Sequence, residues 1–126
     1  HPPATMANFE VFFEGRLVGV AHLDQVDRAA GSARCAVTLG DRAVWGQHLG
    51  AEVVQALATY ASEELGLRCL VADAQPHNYR WCRLLTRLGF TFQPEPVAGV
   101  LQFALELDAS VELKTRSGWA VTAAVA

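Results

Sequence analysis

Between Val44 and Glu64 the chain reads VWGQHLGAEVVQALATYASEE, and no other stretch restricts the fold as much. A short polar turn carrying Gly46 and Gly50 runs straight into an apolar segment with helical spacing. Leu49, Val53, Leu57 and Ala61 recur every four residues, and Val54 and Leu65 widen the stripe. The pattern predicts a helix from about Leu49 to Glu64, buried along one face. The preceding AVTL run, Ala36 to Leu39, reads as a strand. Strand, glycine-bearing turn and helix in that order leave backbone N–H groups free at the helix start. Such an end attracts anions, phosphate above all.

Two nucleotide motifs can be tested against this turn. A phosphate loop of the kinase type needs a lysine and a hydroxyl residue after its last glycine. Gly50 is followed by Ala51 and Glu52, so that motif is absent. The dinucleotide fingerprint fails on the spacing around Gly46 and Gly50. On composition alone the turn is only a turn.

The same segment resembles the coenzyme-A loop of the GCN5-related N-acetyltransferases (GNAT). That loop usually reads Gln/Arg-x-x-Gly-x-Gly/Ala. The nearest branch in pattern is that of the ribosomal-protein N-acetyltransferases, which often carry Trp-Gly-x-Gly there. Trp45 takes the first place here, His48 that of the middle glycine and Gly50 the last, and Glu52 fits the Glu that often follows. His48 is the departure, because a side chain there crowds the pyrophosphate. A second stretch is similar to the family's other signature. Asn78 stands where the family begins a helix, and LTRLGF, Leu85 to Phe90, stands where Tyr-x-x-x-Gly-Phe closes it.

The rest of the chain reads in order. Residues 1–8 are rich in proline and small residues and read as a loose segment. Phe9 to Phe13 and Leu17 to Leu23 read as an antiparallel hairpin, Asp24 to Ser32 as a polar loop, and Ala33 to Leu39 as a third strand. Gly66 stops the central helix. RCLVADA, Arg68 to Ala74, is a buried strand whose place after a helix implies a parallel crossover. Trp81, Leu84, Leu85 and Leu88 mark a second amphipathic helix capped by Asn78. Phe90 to Gln93 is a short strand, Pro94 to Gly99 a turn, and Val100 to Leu107 a long strand. The expected architecture is a mixed α/β (α+β) domain over residues 9–107, with a mostly antiparallel sheet and helices on its faces. Residues 108–126 form a C-terminal extension. They alternate in apolarity around TRSG, as a hairpin or a subunit contact would, which offers a route to a homodimer.

Composition narrows the function classes. With 126 residues the chain is one domain. Its 10 basic and 13 acidic residues give a formal charge of -3, which argues against a nucleic-acid surface. No apolar run has transmembrane length, and the start lacks a secretory leader, so a cytoplasmic protein is expected. Cys35, Cys69 and Cys82 lie in apolar periodic runs and read as reduced core cysteines, and no ligand spacing suggests a metal.

The resemblance implies a cofactor and roles. Acetyl-CoA is the co-substrate, without a metal. Backbone N–H groups of Gln47, His48, Leu49, Gly50 and Ala51 hold the pyrophosphate. Arg42 reaches a phosphate, or is simply a surface arginine. Arg80 and Arg83 flank the adenosine, or belong to a solvated helix face. The strand at Ala36 splays from that at Val71, pantetheine lies in the gap, and Val37 or Thr38 donates an N–H to the thioester oxygen. Amide formation also needs a proton acceptor. Candidates are His22, His48, His77 and Asp73, each with a packing or loop role as its plainer reading. Tyr79 is a candidate acid, while Tyr60 reads as packing. The acceptor is a small-molecule amine or a protein N-terminus. Three family features are missing: a leading strand with two helices, the tyrosine that falls at Leu85, and a Glu on the third strand. These gaps keep two other readings open, a noncatalytic binding module and a fragment that needs a second chain.

Overall fold

The computed structural model describes residues 6–40, 49–97, 99–107 and 119–123. Strand β1 (Ala7–Phe13) turns back into β2 (Arg16–Asp27) through Glu14 and Gly15. Both turn residues have positive φ, 51° and 77°, the conformation of a two-residue turn that matches strand twist. β2 does not stop at Leu23. It continues to Asp27, with a bulge near Gln25, and pairs with β3 (Ser32–Leu39). The polar loop expected from Asp24 to Ser32 thus contracts to a tight turn. Asp27 closes it: its Oδ1 accepts from Ala30 N–H at 3.0 Å and its carbonyl from Gly31 N–H at 2.8 Å. Gly31 supplies the left-handed backbone that turn requires, at φ 76°.

Helix α1 (Leu49–Glu63) buries Val53, Val54, Leu57 and Ala61 of the stripe read from the sequence, and Ala58 beside them. Strand β4 (Cys69–Ala74) follows, then α2 (Tyr79–Arg87). Asn78 caps α2 by accepting from Trp81 N–H at 3.2 Å. At the other end Phe90 N–H returns to Leu85 O (3.0 Å) and Gly89 N–H to Thr86 O (3.1 Å). This is a Schellman closure, so the Gly-Phe of LTRLGF has a structural function of its own. β5 (Thr91–Val97) runs past the expected end at Gln93, with an irregularity before Val97, and pairs with β6 (Val100–Glu106).

The last strand, β7 (Trp119–Ala123), makes no hairpin of its own among the described residues. It lies antiparallel to β1, Phe13 opposite Trp119 and Phe9 opposite Ala123. The sheet order is β5-β6-β4-β3-β2-β1-β7, antiparallel except between β3 and β4. One core joins both helices to one face of the sheet. Phe9, Val11, Ala21, Leu23, Ala33, Cys35, Leu70, Ala72 and Phe103 point into it with the helix residues. The alternate positions, among them His22, Asp24, Arg34, Val71 and Asp73, therefore occupy the opposite face. No described helix is long and apolar enough to cross a membrane.

Candidate functional site

The parallel pair β3–β4 is short. Ser32 to Cys35 lie opposite Cys69 to Ala72, and there the pairing stops, although β3 runs on to Leu39. Hydrogen-bond phase locates the rung at which the ladder ends. Cys69 N–H donates to Gly31 O at 2.9 Å. In a parallel ladder each following bond involves alternate residues, so Asp73 N–H falls on Cys35 O. Continuing it would require Val37 N–H to donate to Asp73 O. That carbonyl already accepts from Trp81 Nε1 at 2.9 Å. The indole of α2 meets the chain at the rung where the ladder ends, and the strands part beyond it.

The other neighbour of β3 confirms which groups face the gap. Gly40 N–H donates to Val18 O at 2.9 Å. Counting back by twos along this unbulged antiparallel stretch, Thr38 and Ala36 spend their backbone groups on β2. Val37 directs its N–H and C=O toward β4. Of the two donors expected from the sequence, Val37 faces the opening and Thr38 does not.

The parting forms a cleft of about 420 Å³, walled by β3 from Arg34 to Leu39, by Asp73, Ala74 and Gln75, and by Asn78, Trp81 and Val100. Val37, Thr38, Asp73 and Asn78 are thus brought together. Three other expected residues are placed elsewhere. His22 stands on the sheet face away from the helices, its Nε2 3.3 Å from Asp24 Oδ2. Tyr79, 72 % exposed at the start of α2, is not among the cleft walls. Arg83 is exposed on α2. Gly50 is buried and Ala51 half-buried in the first turn of α1, which Leu49 begins. Arg42, Gln47 and His48 lie outside the described residues, as does Trp45. His77 is exposed before the Asn78 cap, and Tyr60 packs its ring edge-on against Phe9 at 5.0 Å.

Reading the sequence missed a strut across three strands. Arg34 donates from Nε to Asp24 Oδ1 (2.8 Å), from Nη2 to Asp24 Oδ2 (2.8 Å) and from Nη1 to Asp73 Oδ2 (2.9 Å). The guanidinium fork fits the Asp24 carboxylate with two bonds and still has a donor for Asp73. These bonds hold the Asp24 carboxyl below its ordinary range, against the opposing effect of burial. They raise the already high pKa of Arg34 further. A signal was available: Arg34 and Asp73 are lone charges in two apolar strands. Their adjacency depends on register, and Asp24 was assigned to a loop. Burial pushes the Cys35 thiol up to about 12, which leaves it an inert core residue.

The comparisons with known proteins agree with this topology. The family model described as acetyltransferase (GNAT) domain matches residues 2–91. No curated protein matches significantly. Among solved structures, the N-acetyltransferase PseH of Campylobacter jejuni is 18 % identical, with a TM-score of 0.71 over 86 % of this chain and 72 % of that one. PseH has also been solved with acetyl coenzyme A. The spermidine N-acetyltransferase SpeG of Vibrio cholerae, in its F149A form, is 15 % identical, with a TM-score of 0.73 over 84 % and 68 %. A Vibrio cholerae protein named for a ribosomal-protein-serine acetyltransferase is 25 % identical, with a TM-score of 0.68 over 80 % and 64 %.

Proposed function

Because the chain belongs to the acetyltransferase (GNAT) domain family, we propose that it transfers an acetyl group from acetyl-CoA to a primary amine by direct attack. The observation that carries this reading is the rung taken by Trp81. It leaves a strand edge with Val37 N–H and C=O turned into the cleft of about 420 Å³. Pantetheine is a chain of amides. It pairs with such an edge as a strand would, and brings its thioester alongside Val37.

Chemistry then follows from charge. The acceptor loses one proton to water and attacks the thioester carbon as a neutral amine. The C–N bond forms and the carbonyl oxygen gains negative charge, which the Val37 N–H stabilises. The C–S bond breaks and sulfur leaves with its electron pair. It takes the second proton of the amine nitrogen, so the products are an amide, a thiol and one released proton. Backbone N–H groups of residues 47–51 are assigned to the pyrophosphate, with Arg42 and His48 beside it and Arg83 toward the adenosine. Asn78 shapes the cleft floor by fixing the start of α2.

The Trp45-Gly46 pair and Glu52 favour the ribosomal-protein branch, and the acceptor is a small-molecule amine or a protein N-terminus. A second reading is a noncatalytic module that binds coenzyme A. It is favoured by Leu85, which is fully buried and apolar where the family's proton donor falls. We place the protein in the cytoplasm.

Calorimetric titration with acetyl-CoA, followed by thiol release across a panel of amines, separates these readings. Binding with thiol release supports transfer. Binding without release from any amine favours the noncatalytic module. No binding by the folded protein would refute both.

A further inference from the structure

Arg34 and Asp73 stand between two cavities. One is the β3–β4 cleft. The other, about 470 Å³, opens on the sheet face away from the helices and has Gln25, Ser32, Arg34, Val71, Asp73 and Gln102 in its walls. We propose that this second cavity receives the acceptor. The acceptor is a compact primary amine on an uncharged polar body, an amino alcohol or amino sugar, and Asp73 Oδ1 binds its nitrogen. This assignment rests on the acetyltransfer reading above.

The argument starts from charge. One guanidinium sits between two carboxylates, so these three groups together carry a net negative charge. Both oxygens of Asp24 are taken by Arg34. Asp73 is held by Oδ2 alone, and no described side chain takes its Oδ1. The carboxylate is therefore fixed in orientation with one acceptor oxygen unspent. An ammonium group is the natural partner of such an oxygen.

Position supports the same conclusion. Asp73 is the first residue of β4 beyond the last paired position, Ala72. It is also shared by the walls of both cavities. A nitrogen bound there lies at the parting of the strands, where Val37 turns its N–H toward the thioester. The remaining walls define the body of the ligand. Gln25, Gln102 and Ser32 offer donors and acceptors without charge, suited to hydroxyl or amide groups, and Ala33, Val71 and Val100 line the carbon skeleton between them. Arg34 is already engaged with two carboxylates, so the described walls hold no free cation for an anionic substrate. A polyamine would bring several cations to one unspent carboxylate oxygen. A peptide would carry its chain out of the cavity.

Steady-state thiol release tests this with three probe amines: glucosamine, spermidine and a tetrapeptide with a free N-terminus. The parent is compared with D73N and with Q102W, which fills the outer cavity from the position paired with Asp73 across β4–β6. Glucosamine is expected to be the best of the three. Loss of a charge-assisted contact in D73N raises its KM roughly 10- to 100-fold. Q102W raises KM likewise, while both variants melt cooperatively and Q102W binds acetyl-CoA within about twofold of the parent. A KM unchanged in both variants overturns the assignment, as does preference for spermidine or the tetrapeptide. So does a parent that binds acetyl-CoA and turns over none of the three. A parent that does not bind acetyl-CoA brings down the acetyltransfer reading first and this one with it.

Discussion

Replacing Trp81 by Phe tests the origin of the cleft directly. The ring stays, but the Nε1 donor to Asp73 O is lost. If that part-buried carbonyl finds no new partner, the cost is about 1–3 kcal/mol. The missing part of the indole adds about 1 kcal/mol of lost packing, since Trp81 is only 8 % exposed. One new partner is in register, namely Val37 N–H. Closing that rung would return about 1 kcal/mol and extend the β3–β4 ladder by one position. We therefore expect W81F to be destabilised by about 1–3 kcal/mol in urea unfolding. Its Val37 amide should exchange with solvent more slowly than in the parent, against the general loss of stability. Acetyl-CoA should bind about fivefold more weakly, because the ligand must now reopen a hydrogen bond of about 1 kcal/mol. Amide exchange measured by NMR at Val37, Thr38 and Leu39 gives the readout. A Val37 amide as protected in the free parent as that of Thr38 would refute the reasoning, because it would show that the rung was never open.

Other predictions test the frame around the site. A Cβ at Gly19 would run into the Thr38 carbonyl oxygen and crowd Leu39, so G19A should cost about 1–3 kcal/mol and shift β3 away from β2, seen as a lowered melting temperature and shifted Val37 resonances. Asn at position 24 should cost about 1–3 kcal/mol at neutral pH, where the charged carboxylate holds Arg34. Because the folded pKa of Asp24 lies below the ordinary 3.8, its contribution is complete above that value and is lost as pH falls through the depressed one. The gap in melting temperature between parent and D24N should thus close only in acid below pH 3.8, and a gap that closes near neutrality would contradict the assignment. Deleting residues 119–123 uncovers the β1 edge, so melting temperature should fall or elution should shift with concentration as edges pair, and neither change would mean that β7 contributes little.

Much of the fold was legible in the sequence because it is written in local periodicity. The helix from Leu49, the Asn78 cap, the Gly-Phe closure after Leu88 and the apolar run at Leu70 each follow from spacing or turn chemistry within one element. Even the parallel crossover follows from strand-helix-strand order. Boundaries were less secure, as at Asp24–Asp27, where a bulge and a side-chain-closed turn extend a strand through residues that read as loop.

The site was decided by register, which no single segment contains. Arg34 and Asp73 are 39 positions apart, and they meet because β3 and β4 pair in a particular phase. Sequence named Asp73, Asn78, Val37 and Thr38 as candidates, yet only the ladder distinguishes Val37, facing the cleft, from Thr38, bonded to β2. Trp81 read as one more apolar position on a helix. Its N–H becomes decisive only when α2 packs it over the Asp73 carbonyl. The same holds for Trp119 to Ala123, whose alternation announced a strand without naming a neighbour. Periodicity reports which face a residue shows. Long-range hydrogen bonding determines what that face meets, and here it determined where the sheet opens and what closes its edge.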